Sequence, residues 1–181
     1  MRVLTLLAFV LCFVPSLSAT VLVPAEFREI VAGSQIIVHG RVAEVRSEWV
    51  DGRRRIESLV TVEPATFVRG TPTPLVTFRV AGGQIGRYKS VTVGSPAFAA
   101  GEEVVLFLRA AGPATPRIFG MNQGVFRVRV DARGQRMVST PPVLARSAAP
   151  ERVVRGAVSR RPMPLEQFTA QVRAVMQGGA R

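Results

Sequence analysis

The chain has 181 residues, enough for one domain with a small appendage, and 48% of them are apolar, which excludes a disordered or fibrous protein. Lys plus Arg number 24 against 12 for Asp plus Glu, a net charge of +12, and Lys89 is the one lysine among those bases. One Cys and one His exclude zinc fingers, disulfide frameworks, Cys–His dyads and His-ligated metal clusters.

Residues 1–19 read as a secretory signal. Met1-Arg2 starts it, an apolar run from Val3 to Val14 follows, and small residues at Ser16, Ser18 and Ala19 invite cleavage after Ser18 or, preferred, after Ala19. The run is short for a spanning helix, which needs roughly 20 residues, so no transmembrane segment is expected after cleavage. Cleavage removes Cys12 and leaves a cysteine-free chain bound for the periplasm or the exterior. Such a chain must be held by its core alone.

A mainly β domain is expected over 20–138. Pro24 to Val31 reads as a short helix, with Phe27, Ile30 and Val31 on one face and Gly33 closing it. From Gln35 the apolar period changes to two. Ile36, Val38, Gly40 and Val42 share one parity, with Ile37, His39 and Arg41 opposite. Beyond Val42 the apolar parity moves to Ala43, Val45 and Trp49, so this strand needs a bulge or a strong bend, which Gly40 or Ala43-Glu44 can supply. Asp51-Gly52 is a turn signal, and Trp49 to Arg53 forms the tip of a long hairpin. The return strand places Ile56, Ser58, Val60 and Val62 on one face and Arg55, Glu57, Thr61 and Glu63 on the other.

A third strand carries Val76, Phe78 and Val80 on one parity. Ala81-Gly82-Gly83-Gln84 reads as a loop, and Ser90 to Val93 as a short extra strand. Val104 to Leu108 is apolar on both parities, as in a strand buried on both faces. Val125 to Val130 alternates and has one wet face, and Asp131 to Gly134 turns it into a partner at Arg136-Met137-Val138. The pattern predicts a small five-stranded OB-like β-barrel with a short N-terminal helix and a C-terminal amphipathic helix. Residues 139–164, rich in Pro and holding five arginines against Glu151, read as a basic linker. Leu165, Phe168, Val172 and Val175 then recur at helical spacing over 165–177, a helix expected to dock on the barrel.

Several segments occur in a telling order: Ile36 to Val42, Glu48 to Arg53, Val62 to Gly70, Arg79 to Gln84, Ser95 to Leu108 and Gly120 to Val128. This order resembles a group of secreted bacterial proteins of uncharacterised function and implies no particular activity. At the level of fold, the barrel is similar to the netrin-like domain of tissue inhibitors of metalloproteinases. Those proteins chelate the protease zinc through an N-terminal cysteine, which the cleaved chain lacks, so the resemblance carries over no chelation mechanism.

Little here points to catalysis. His39 is a lone histidine without a second ligand or a nucleophile, and a structural role is expected. Glu102 and Glu103 are strand neighbours pointing to opposite faces, so they cannot converge on a sugar. Asp51 and Asp131 sit in turns, where Asp caps local backbone. Lys89-Ser90 lacks the spacing of a Ser–Lys nucleophile, and Gly82 to Gly86 matches no nucleotide-binding loop. The candidate binding set is Trp49, the dense basic run Arg53-Arg54-Arg55, and Gly82, Gly83 and Gln84 as a ligand-facing edge. No metal and no cofactor is expected. Nucleic acid is disfavoured because most Phe belong to the core rather than to stacking platforms. The sequence reading is a secreted or periplasmic, non-enzymatic binding module. It favours an extracellular protein partner, such as a secreted protease, with an anionic cell-surface polymer as the alternative.

Overall fold

The computed structural model describes residues 25–110, 112, 114–139 and 162–178. The signal segment, and all of the linker except its ends, lie outside the described residues. A first helix, α1 (Phe27–Ala32), leads into two long strands, β1 (Ile36–Val50) and β2 (Arg55–Arg69). Then follow β3 (Val76–Ala81), β4 (Gly83–Ile85), β5 (Tyr88–Ser90), β6 (Glu103–Arg109), β7 (Arg117–Ile118), β8 (Val125–Val130), β9 (Arg136–Ser139), β10 (Met163–Pro164) and helix α2 (Leu165–Gly178).

The main sheet has eight strands in the order β1-β2-β3-β7-β6-β8-β9-β10, and β1 pairs again with β6. Hydrogen bonding therefore runs in a ring through β1, β2, β3, β7 and β6, joined by a parallel bridge between Arg79 and Arg117. β4 and β5 form a separate two-stranded ribbon. The expectation of five strands is corrected to more than five. Two of the additions, β7 and β10, are only two residues long, too short for alternation to show.

Period two in β1 and β6 builds two cores on the two faces of the same strands. Val38, Val42, Val104, Leu106 and Leu108 turn inside the ring with Val60, Val62 and Phe78. Ile37, Val105 and Phe107 turn outward into a second core with Phe126, Val128, α1 residues Ile30 and Val31, and α2 residues Phe168 and Val172. β6 is thus buried on both faces, as its uninterrupted apolar run predicts. Four phenylalanines fill the second core: Phe126 lies 4.8 Å from Phe168 and 5.2 Å from Phe107, and Phe27 lies 5.6 Å from Phe168. The α2 stripe is docked, with Phe168 and Val172 fully covered.

The reading of 139–164 as a linker is corrected at both ends. Ser139 belongs to β9, and Met163 and Pro164 pair with Val138 and Met137, so the chain re-enters the sheet beside the strand it left. β1 shifts register against β2 at Ile37/Val38, His39/Gly40 and Val42/Glu44, the bulges that the change of apolar parity requires. β6 pairs with β1 only as far as Arg41, so the far half of the β1–β2 hairpin runs on past β6 as an arm, edged by β3 along Glu57 to Val62.

Candidate functional site

The arm ends in the turn Asp51 to Arg54. Asp51, Gly52 and Arg53 take φ values of 53°, 62° and 68°, and the Arg54 N–H donates to the Val50 carbonyl at 3.2 Å. The expected backbone cap by Asp51 is replaced by a side-chain contact, since Arg55 Nε donates to Asp51 Oδ2 at 2.7 Å. Asp131 does cap its turn, accepting from the Arg133 and Gln135 N–H groups at 2.8 and 2.9 Å. Arg53 and Arg54 are exposed and have no carboxylate partner among the described residues.

Gly82 to Gly86 is not a plain loop. Gly83, Gln84 and Ile85 pair with Ser90, Lys89 and Tyr88, so the extra strand lies at Tyr88–Ser90 rather than at Ser90 to Val93. The ribbon is fastened to the arm. The Gly82 N–H donates to the Ile56 carbonyl at 3.1 Å, Ser58 Oγ donates to the Gly82 carbonyl at 2.9 Å, and the Gln84 N–H donates to Ser47 Oγ at 3.2 Å. Gly83 permits this close approach, because a Cβ there would stand 2.6 Å from Ser47 Oγ and 2.7 Å from Ser58 Oγ. The ribbon in turn sets the Tyr88 ring edge-on to Trp49, with centroids 5.5 Å apart. Arg87 covers the Tyr88 ring from 5.2 Å and donates to its hydroxyl.

Trp49, Gly82, Gly83 and Gln84 are therefore brought together beside the Arg53-Arg54-Arg55 tip. Arg87, Tyr88 and Lys89 join them, beyond the candidate residues that the sequence picks out. Their signal is compositional: Lys89 and Tyr88 are the one lysine and the one tyrosine of the chain. Gly83→Val should lift the ribbon, shift the emission of Trp49 to the red and cost about 1–3 kcal/mol by overpacking. Trp49 is the one tryptophan, so its fluorescence reports the arm directly; unchanged emission and unchanged stability would contradict this packing.

Carboxylates at this end are committed internally. Asp51 pairs with Arg55, and Glu48 pairs with Arg79. Glu57 is only 5% exposed and pairs with Arg117 at 3.0 Å and with Arg79 at 3.5 Å. The expected outward position of Glu57 is thus corrected, because β7 brings Arg117 across it. Among the described residues, Arg53, Arg54, Arg87 and Lys89 present positive charge to solvent with no acid partner.

His39 lies elsewhere. Its Nε2 meets Glu103 Oε1 at 2.7 Å, the residue is 8% exposed, and Arg136 Nε approaches the same oxygen at 3.4 Å. The pair closes the rim of the second core, beneath a groove of about 790 Å3 lined by His39, Thr66, Arg136, Thr169 and Arg173. Glu102 turns the other way, to Arg127 Nη1 at 2.5 Å, so the two neighbouring acids do not converge. Among the described residues no three of His, Cys, Asp and Glu stand where they could hold a metal ion, and no helix is long and apolar enough to cross a membrane. Compared with protein-family models, curated proteins and solved structures, the chain matches none.

Proposed function

We propose that the chain is a non-enzymatic binding module of the periplasm or the exterior, which takes an anionic partner on the basic end of its β1–β2 arm. The observation that carries this reading is the charge asymmetry of that end: Asp51, Glu48 and Glu57 are each held by an arginine, whereas Arg53, Arg54, Arg87 and Lys89 have no acid partner among the described residues. Clustered bases on a projecting element raise the local concentration of polyanions. The ring order β1-β2-β3-β7-β6 with its parallel closure supports an OB-like barrel. In such barrels the loop between the first two strands is a binding loop for oligosaccharides and oligonucleotides, and here that loop carries the arginines. An anionic component of the cell envelope is the partner class this geometry favours. The signal-like N-terminus and the resemblance to secreted bacterial proteins support the compartment. His39 is engaged by Glu103, and among the described residues no hydroxyl nucleophile is hydrogen-bonded to it.

A second reading, an acidic protein surface, is favoured by Trp49, Tyr88 and Arg87 standing in one cluster, since Trp, Tyr and Arg dominate the energetics of protein interfaces. It predicts a stoichiometric complex that Trp49→Ala destroys; a Trp49→Ala variant that retains the complex would remove it.

Calorimetric titration of the full chain with dextran sulfate tests the first reading. Binding should weaken as salt rises, and the double variant Arg53→Gln/Arg54→Gln should bind roughly ten-fold more weakly. Salt-insensitive binding, or a double variant equal to the wild type, would overturn it.

A further inference from the structure

Beyond the bases, this end of the molecule also exposes apolar side chains. After β5 the chain leaves the strand, and exposure alternates: Lys89, Val91 and Val93 are exposed while Ser90 and Thr92 are half-buried. Val91 is 74% exposed and Val93 is 83% exposed. Val93 occupies the corner of a turn that the Ser95 N–H closes onto the Thr92 carbonyl at 3.0 Å, with Gly94 at φ 82° behind it. That φ is what the third position of a type II turn requires, and proline is common at the second position. A β-branched apolar side chain there gains nothing from the fold. The turn is anchored beside the arm. Ser95 Oγ donates to the Ala81 carbonyl at 2.6 Å, and the ribbon above it is tied to Ile56, the register partner of Trp49.

We infer that this end docks on an anionic phospholipid surface, with Val91 and Val93 entering the apolar layer. Trp49 and Tyr88 then sit at the level of the headgroups, and Arg53, Arg54, Arg87 and Lys89 meet the phosphates. The inference rests on the anionic-partner reading above and names the source of the anion. Charge complementarity selects the lipid headgroup. The valines select lipid over a soluble polyanion, because a polyanion offers them no apolar environment. Trp and Tyr, apolar in body and polar at one end, favour this depth in a bilayer. Bases near an anionic leaflet each add about five-fold to partitioning. This is peripheral docking by a turn and an arm and needs no spanning helix.

The test is sedimentation of the full chain with vesicles of phosphatidylglycerol and phosphatidylcholine in equal parts, with phosphatidylcholine alone, and with soluble dextran sulfate in place of vesicles. The wild type should bind the mixed vesicles with a blue shift of Trp49 emission and leave neutral vesicles unbound. Val91→Ser/Val93→Ser should bind mixed vesicles roughly ten-fold more weakly while binding dextran sulfate as the wild type does. Both valines are exposed, so the fold survives the change. Arg53→Gln/Arg54→Gln should weaken both vesicle and dextran sulfate binding. A valine variant that binds vesicles like the wild type overturns the lipid inference. So does a wild type that binds dextran sulfate but no vesicle, and in that case the anionic-partner reading stands. Binding to neither overturns both.

Discussion

Phe168→Ala should lower the stability of the protein by about 3–5 kcal/mol, the cost of emptying a well-packed aromatic site. The ring is 2% exposed and packs on Phe126 at 4.8 Å, Phe27 at 5.6 Å and Phe107 at 6.3 Å, so its loss opens a cavity at the junction of α1, α2 and the sheet. A domain of this kind has about 5–15 kcal/mol in total, and the loss should lower the melting temperature by roughly 10 °C. Urea unfolding, followed by circular dichroism, measures it. A change below about 1 kcal/mol would mean that α2 is an appendage and that the second core is not part of the cooperative unit.

That second core shows how far the sequence could be read. Val104 to Leu108 announces a strand buried on both faces, and the stripe Leu165, Phe168 and Val172 announces a helix needing a cover. Each signal is local, and each is present in the structure. That the stripe covers the outward face of that same strand depends on contacts between residues some sixty positions apart, such as Phe107 with Phe168, which periodicity does not encode. The bulges of β1 were legible because a change of face leaves a mark in the apolar parity. The strands β7 and β10 were not, because two residues carry no period. At the arm, the arginine run and Trp49 were visible as composition. The place of Arg87, Tyr88 and Lys89 was not, since it depends on Gly82 and Gly83 letting a ribbon fold back onto Ser47 and Ser58.

Glu57 illustrates the same limit and gives the second large effect. Alternation assigns it to a wet face, yet its side chain is nearly covered, between Arg79 of β3 and Arg117 of β7. Glu57→Ala removes the acceptor from both guanidinium groups. Arg79 retains Glu48, and Arg117, which is 55% exposed, can turn to water, so the penalty falls below that of a fully buried ion pair. We expect a loss of about 2–3 kcal/mol in urea unfolding. Because this pairing lies beside the bridge that joins β3 to β7, the variant should also speed hydrogen exchange at the Arg79 N–H, which donates to the Pro116 carbonyl at 2.9 Å. Wild-type stability and exchange in Glu57→Ala would show that the ring is held without this network.

Nitrogen-15 NMR of the full chain titrated with a short dextran sulfate tests the location of the binding surface most directly. Amide signals should move at 49–55 and 83–93 and shift back as salt is added, with those of α2 and of the strand around His39 unmoved. Shifts concentrated along α2 and the groove beside His39, or none anywhere, would contradict it.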